Sequence, residues 1–249
     1  MAHPSDLIPP KIPSKSNEFW SGTRDELPIL LGAMPFGVIF GVLAMQSGQV
    51  SQAQAQAMSA VIFAGSAQFI AAKLLADHAA VVVIVLTVLV VNLRHMLYSA
   101  SLAPLVKHLS VGWKVLLAYL LTDESYAVGI TRYTQPDSLQ PGSNAHWYFF
   151  GSGLTLWAAW QISTAFGVFI GTQISQDVLS LLEFALPLTF IALVVPNLKN
   201  VGSLVAAIVS GSAILLVSGL PFNSGLLVAG IIGIVTGFIA DGFIRRRTS

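Results

Sequence analysis

Long apolar segments follow one another along almost the whole chain, with only short polar stretches between them. Each is close to the roughly 20 residues that a helix needs to cross a bilayer. Of the 249 residues only 9% are charged, whereas soluble domains carry about 25%, so lipid is the expected solvent. We therefore predict an all-α integral membrane protein with seven or eight helical segments. Counted as eight, these are about residues 27–45, 57–76, 79–100, 113–133, 147–174, 179–198, 201–220 and 225–244.

The two ends of the chain are polar and positively charged. Residues 1–26 have no apolar run and are predicted to be a disordered tail, residues 27–244 to be one transmembrane domain, and residues 245–249 to be a basic end. Lysine and arginine are retained on the cytoplasmic side, so both termini are expected there, in a multi-pass protein of the plasma membrane. Positive charge does not choose between eight full crossings and a topology in which segments two and six re-enter.

Composition excludes several classes of function. The net charge is +1 and cysteine is absent, so nucleic-acid binding, disulfides and a thiol nucleophile are not expected. No nucleophile, base and orienting residue stand at a useful spacing, and no metal or cofactor motif is present. We therefore predict that the protein is not an enzyme.

Two halves of the chain, residues 27–133 and 147–244, look like related repeats. Phe63-Ala64 and Phe69-Ile-Ala71 recur at the same spacing as Phe184-Ala185 and Phe190-Ile-Ala192. Transporters often contain such repeats, with the substrate at broken helices between them. The first copy encloses Gly65, Ser66 and Gln68, and the second encloses Pro187, residues that favour a helix break. Close helix packing explains the small residues equally well.

Polar residues within apolar segments are the candidates for function. The third segment carries Asn92, Arg94 and His95, and the fourth carries Asp123 and Glu124. An arginine at the centre of a spanning helix costs about 2.5–3.5 kcal/mol, so Arg94 needs a partner, a wet cavity or the interface. One carboxylate is expected to pair with it while the other faces a cavity and exchanges protons. An ion pair that only fixes helix packing is the alternative, and His95 is a candidate for a proton relay.

Several motifs together resemble the AzlC family. They are Leu31-Gly-Ala-Met-Pro-Phe-Gly37, Phe63-Ala-Gly-Ser-Ala-Gln-Phe69, Asn92-Leu-Arg-His95, Leu121-Thr-Asp-Glu124 and Leu186-Pro-Leu-Thr-Phe-Ile-Ala192, the last of which contains Thr189. The resemblance implies a bacterial inner-membrane permease that exports leucine, isoleucine, valine and methionine. It also implies a small AzlD-like membrane subunit as partner, and leaves a higher oligomer open.

These observations predict a secondary transporter that works by proton-coupled alternating access. Arg94 and the two carboxylates supply charges that suit a zwitterionic amino acid. Gly65, Ser66, Gln68, Asn92, His95, Pro187 and Thr189 complete the predicted substrate-binding or coupling set. The alternative is a non-transporting membrane subunit that scaffolds or regulates a partner. A channel is less favoured, because no ring of like charges is visible.

Overall fold

The computed structural model describes residues 12–138, 140, 142–171, 173, 191, 195, 198–220 and 225–248. This part of the chain is helical and contains no strand, which confirms the predicted all-α membrane class. Its helices are α1 (Lys15–Gln46), α2 (Gln52–Ile62), α3 (Gly65–Ala76), α4 (Val81–Leu102), α5 (Val111–Tyr119), α6 (Asp123–Tyr133), α7 (Ala145–Gly171), α8 (Val201–Val217) and α9 (Gly225–Thr248).

The described residues form two compact units. Unit 1 contains the described residues up to Pro35 together with Arg94–Ser163. Unit 2 contains Phe36–Leu93 and the described residues from Thr164 onward. The apolar core of unit 1 includes Leu102, Leu117 and Phe149, and that of unit 2 includes Phe40 and Phe69.

Four of the described helices are long and apolar enough to cross a bilayer, by length and composition. They are α1, α4, α7 and residues Gly225–Phe243 of α9, and α8 is a shorter apolar helix. Large apolar side chains are exposed along α4 and α9, for example Val81, Leu97 and Phe238. Hydrocarbon is the solvent that suits such surfaces, in agreement with the predicted membrane location.

Helix α1 begins at Lys15, inside the stretch that we predicted to be a disordered tail. The prediction of disorder is therefore wrong for residues 15–26. The physical reason is that acidic residues of this stretch are buried against partners in unit 1. Glu18 pairs with Arg132, and Glu26 accepts a hydrogen bond from Ser152.

The second apolar segment is broken, as its Gly-Ser pair suggested. Helix α2 starts with a capping box between Ser51 and Gln54, and it ends where Phe63 adopts a left-handed conformation with φ of 38°. The chain then extends at Ala64, and α3 starts at Gly65. Two topologies stay predictions for these short helices: a full crossing of the bilayer and a re-entrant segment.

The fourth apolar segment is also broken, which we did not predict. Leu120–Thr122 separate helix α5 from helix α6. The side chains of Thr122 and Ser125 form hydrogen bonds with backbone groups that the interruption leaves without helical partners. Ser125 Oγ donates to the Leu120 carbonyl over 2.7 Å and accepts from the Thr122 amide over 2.9 Å. The Thr122 hydroxyl in turn caps the Ser125 amide, so α6 begins at Asp123.

Small residues bring the long helices α1 and α7 close together within each unit. In unit 2, a Cβ at Gly167 would overlap the backbone of Val38, and Gly41 lies equally close to α7. In unit 1, Gly22 and Gly151 make the same kind of backbone approach. Dispersion and close backbone contact drive helix association in lipid, where the hydrophobic effect is absent.

Helices α8 and α9 pack through a second set of small residues. Gly237 of α9 lies against Ala206 and the backbone of Gly202 on α8. One turn later, Asp241 accepts a hydrogen bond from the Gly202 amide over 3.1 Å. A carboxylate at this place satisfies an amide of the first turn of α8 and suits the positive end of its dipole.

Candidate functional site

The side chain of Arg94 on α4 pairs with the first residue of α6. Arg94 Nη1 lies 3.2 Å from Asp123 Oδ2, and the two side chains are 29% and 31% exposed. The pairing that the sequence predicted is therefore confirmed. Both groups are partly withdrawn from solvent, which strengthens their interaction, yet both keep a surface that a small solute can contact.

Further contacts between α4 and α6 hold this pair in place. Arg94, Tyr98 and Ser101 stand four and then three residues apart, so they share one face of α4. The rings of Tyr98 and Tyr126 stack with centroids 4.7 Å apart. The Tyr126 hydroxyl donates to Ser101 Oγ over 2.9 Å. The charged pair thus lies at one end of a row of fixed polar and aromatic contacts.

The break before α6 determines where the two carboxylates lie. Asp123 and Glu124 occupy the first turn of α6, directly after the capping residue Thr122. Negative charge is favoured there by the helix dipole. Adjacent helical residues point about 100° apart, and Glu124 is partly buried and makes no ion pair with any described residue. The geometry therefore gives one paired and one differently oriented carboxylate.

His95 adds a ring nitrogen to the same neighbourhood of unit 1. Its Nε2 atom is buried and has no hydrogen-bond partner among the described residues. The His95 ring centroid lies 6.1 Å from that of Tyr98. An unsatisfied buried polar group costs about 1–3 kcal/mol, so a bound water or solute would be stabilising at this atom.

The remaining described candidates belong to unit 2. Gly65, Ser66 and Gln68 lie in the first turn of α3, whose preceding residue Ala64 makes no side-chain cap, and Gln68 is fully buried. Asn92 lies on α4, and its buried Oδ1 has no hydrogen-bond partner in the described part of the chain. Amides at a helix start without a side-chain cap are suited to an anionic group.

Two candidates lie outside the described residues. These are Pro187 and Thr189, which the sequence placed in the second copy of the repeat. The related halves therefore stay a prediction.

Sequence reasoning missed a buried charge network in unit 1. Arg132 Nε donates to both carboxylate oxygens of Glu18, at 3.0 and 2.9 Å, and Arg132 Nη2 lies 2.8 Å from Asp137 Oδ2. The Arg132 and Glu18 side chains are 6% and 2% exposed. Hydrogen bonds from Arg132 hold the pKa of Asp137 below its usual value. The network joins the start of α1 to the end of α6.

A second buried carboxylate that sequence reasoning missed, Glu26, lies about two turns after Glu18 on α1. Glu26 is fully buried, and its Oε2 accepts from Ser152 while Oε1 has no partner among the described residues. Asp25 accepts from the Tyr148 hydroxyl over 2.5 Å. Glu18, Gly22 and Asp25 are spaced as residues on one face of a helix. This spacing was the available sequence signal that residues 15–26 are helical.

Among the described residues, no group of three or more His, Asp or Glu side chains is arranged to hold a metal ion.

Comparison with known proteins gives a consistent assignment. Residues 28–174 match the family model described as "AzlC protein". The "Inner membrane protein YgaZ" of Escherichia coli (strain K12) is 29% identical over 231 residues, which is 89% of this chain and 89% of the relative. An "uncharacterized membrane protein" of Archaeoglobus fulgidus is 34% identical over 205 residues, covering 82% of this chain and 85% of the relative.

A further relative is the "Branched-chain amino acid transport protein AzlC" of Bacillus subtilis (strain 168). It is 27% identical over 232 residues, which is 90% of this chain and 87% of the relative. No solved structure matches the chain significantly. The family model covers more than half of the chain, and the three relatives align with 82–90% of it. The chain therefore belongs to the AzlC family of membrane proteins.

Proposed function

We propose that this protein is a secondary transporter that exports branched-chain amino acids, with the Arg94–Asp123 pair at its substrate site. The observation that carries the proposal is this ion pair, which forms at the start of α6 within an otherwise apolar protein. The Bacillus subtilis relative, whose name specifies branched-chain amino-acid transport, supports the substrate class.

The charged pair suits a zwitterion because the substrate brings the same two charges. The amino-acid carboxylate would bind the guanidinium of Arg94, and its ammonium would bind Asp123 or Glu124. Substrate binding then replaces one ion pair by two, so the cost of separating Arg94 from Asp123 is offset. The aliphatic side chain of leucine, isoleucine, valine or methionine would need apolar walls beside this pair.

Coupling to protons is assigned to the same cluster. Two carboxylates on adjacent residues repel each other when both are charged, so proton binding at one of them accompanies any loss of the Arg94 pair. We assign His95 to carry that proton, since its buried Nε2 has no hydrogen-bond partner among the described residues. Alternating access would then be driven by the proton-motive force.

A second contribution to the substrate path is assigned to the start of α3. Gly65, Ser66 and Gln68 lie in the first turn of α3, where Ala64 provides no side-chain cap, and helix starts in broken transmembrane segments face anionic groups in transporters. Asn92 is assigned to the same path, as are Pro187 and Thr189 in the second half of the sequence. A small AzlD-like membrane subunit is proposed as the obligate partner.

The pH dependence of leucine transport in proteoliposomes tests the role of the carboxylates. We expect the Asp123→Asn, Glu124→Gln double variant to lose most of the pH dependence, because no proton-binding carboxylate remains in the cluster. The matched control is Asp77→Asn, which removes a carboxylate from the exposed pair with Lys73. Full pH dependence in the double variant, with transport retained, would show that protons are coupled elsewhere.

A further inference from the structure

Unit 1 contains an apolar groove that the proposed transport site does not use. It has a volume of about 310 Å³ and lies between the end of α4, helix α5 and the side of α7. Leu102, Leu117, Leu121 and Phe149 form its walls. Its edge at Ala103 is exposed, so the groove opens at the surface of the protein.

This otherwise apolar groove is lined by four polar side chains, those of Ser99, Lys107, Lys114 and Tyr133. Lys107 and Lys114 line it, and in the described part of the chain neither has a carboxylate within 4.0 Å. Tyr133 also lines it, and its buried hydroxyl has no hydrogen-bond partner among the described residues. The groove therefore combines an apolar floor with two cations and one unused hydrogen-bond donor.

Water is a poor occupant of such a space. A buried water needs two to four polar partners, and the part of the groove formed by Leu102, Leu117, Leu121 and Phe149 offers no polar side-chain atom. A molecule with an apolar chain and an anionic head would match the lining at both ends. The lysines lie in and just after the connection between α4 and α5, where long basic side chains reach the lipid headgroups.

We propose that this groove binds an anionic phospholipid. One acyl chain fills the apolar part, the phosphate is bound by Lys107 and Lys114, and the Tyr133 hydroxyl donates to a headgroup or ester oxygen. Charge complementarity selects this lipid, since a zwitterionic lipid brings a choline that two lysines repel. The inference is independent of the proposed transport function, because it involves neither Arg94 nor the carboxylates of α6.

Native mass spectrometry of the detergent-purified protein, titrated with defined lipids, tests the inference. We expect phosphatidylglycerol to bind about thirtyfold more tightly than phosphatidylcholine, since each lysine near a headgroup contributes roughly a fivefold effect. The Lys107→Ala, Lys114→Ala double variant should bind both lipids equally. Lys73→Ala, in the exposed pair with Asp77, should keep the preference.

A second variant tests the apolar part of the groove. Ala103→Trp places a large ring at the exposed edge and leaves both lysines in place, so it should abolish tight phosphatidylglycerol binding. Equal affinity of the wild type for the two lipids would overturn the proposal. So would undiminished phosphatidylglycerol binding by Ala103→Trp, or displacement of the lipid by millimolar leucine, which would make the groove an amino-acid site.

Discussion

Leucine export should fall roughly 10- to 150-fold when Arg94 is replaced by alanine. A hydrogen bond to a charged group contributes about 1.5–3 kcal/mol, and the substitution removes the cation proposed to bind the substrate carboxylate. The loss should appear as a lower rate of leucine release from cells that contain equal amounts of membrane-inserted protein. Lys73→Ala is the control, because it removes a positive charge from an exposed pair.

A charge exchange separates the transport role of this pair from a packing role. In the Arg94→Asp, Asp123→Arg variant, the ion pair that holds α4 to α6 can form again with reversed polarity. We expect the exchanged variant to regain part of the thermal stability that Arg94→Ala loses, since a cation at the start of α6 opposes the helix dipole. We expect it not to regain leucine transport. Recovery of export together with stability would mean that the pair only fixes the helices and does not bind the zwitterion.

Replacing Glu18 by glutamine should cost about 3–5 kcal/mol of stability, because it leaves the buried Arg132 without its principal counter-charge. For a protein of this size that corresponds to a fall of roughly 6–20 °C in the melting temperature measured in detergent. The control Asp77→Asn, in the exposed pair with Lys73, should lower the melting temperature by a few degrees at most.

Two further results would bear on this network. The Glu18→Gln, Arg132→Gln double variant should recover part of the loss, since it removes both charges together. The contribution of Asp137 is present at neutral pH and is lost as the pH falls, because Arg132 lowers the pKa of that carboxyl in the folded protein. A melting temperature unchanged in Glu18→Gln would show that the network does not stabilise the fold.

The membrane class and part of the candidate site could be predicted from local sequence. So few charges in so many apolar residues leave lipid as the only suitable solvent. Arg94 and Asp123 stand out because each lies in an apolar segment, and the requirement for a partner then brings them together. The Gly65-Ser66 pair marks the break between α2 and α3, since neither residue favours a helix interior.

Other features depend on contacts that are distant in the sequence. Glu18 and Arg132 are 114 residues apart, so hydrophobicity near Glu18 does not show that α1 begins at Lys15 rather than at the apolar run, and only the helical spacing of Glu18, Gly22 and Asp25 indicates it. The break before α6 falls in the apolar stretch Leu120-Leu121, and only the hydrogen bonds of Ser125 in the folded chain satisfy it. Local hydrophobicity predicts a continuous helix there.

Amino-acid flux is the measurement that tests the central claim most directly. Cells would be loaded with a leucine-containing dipeptide, and leucine release followed with and without this protein, each with and without its small membrane partner. We predict that release requires both this chain and the partner, and that it falls when Arg94 is changed. Unchanged release, from protein shown to be in the membrane with its partner, would contradict branched-chain amino-acid export.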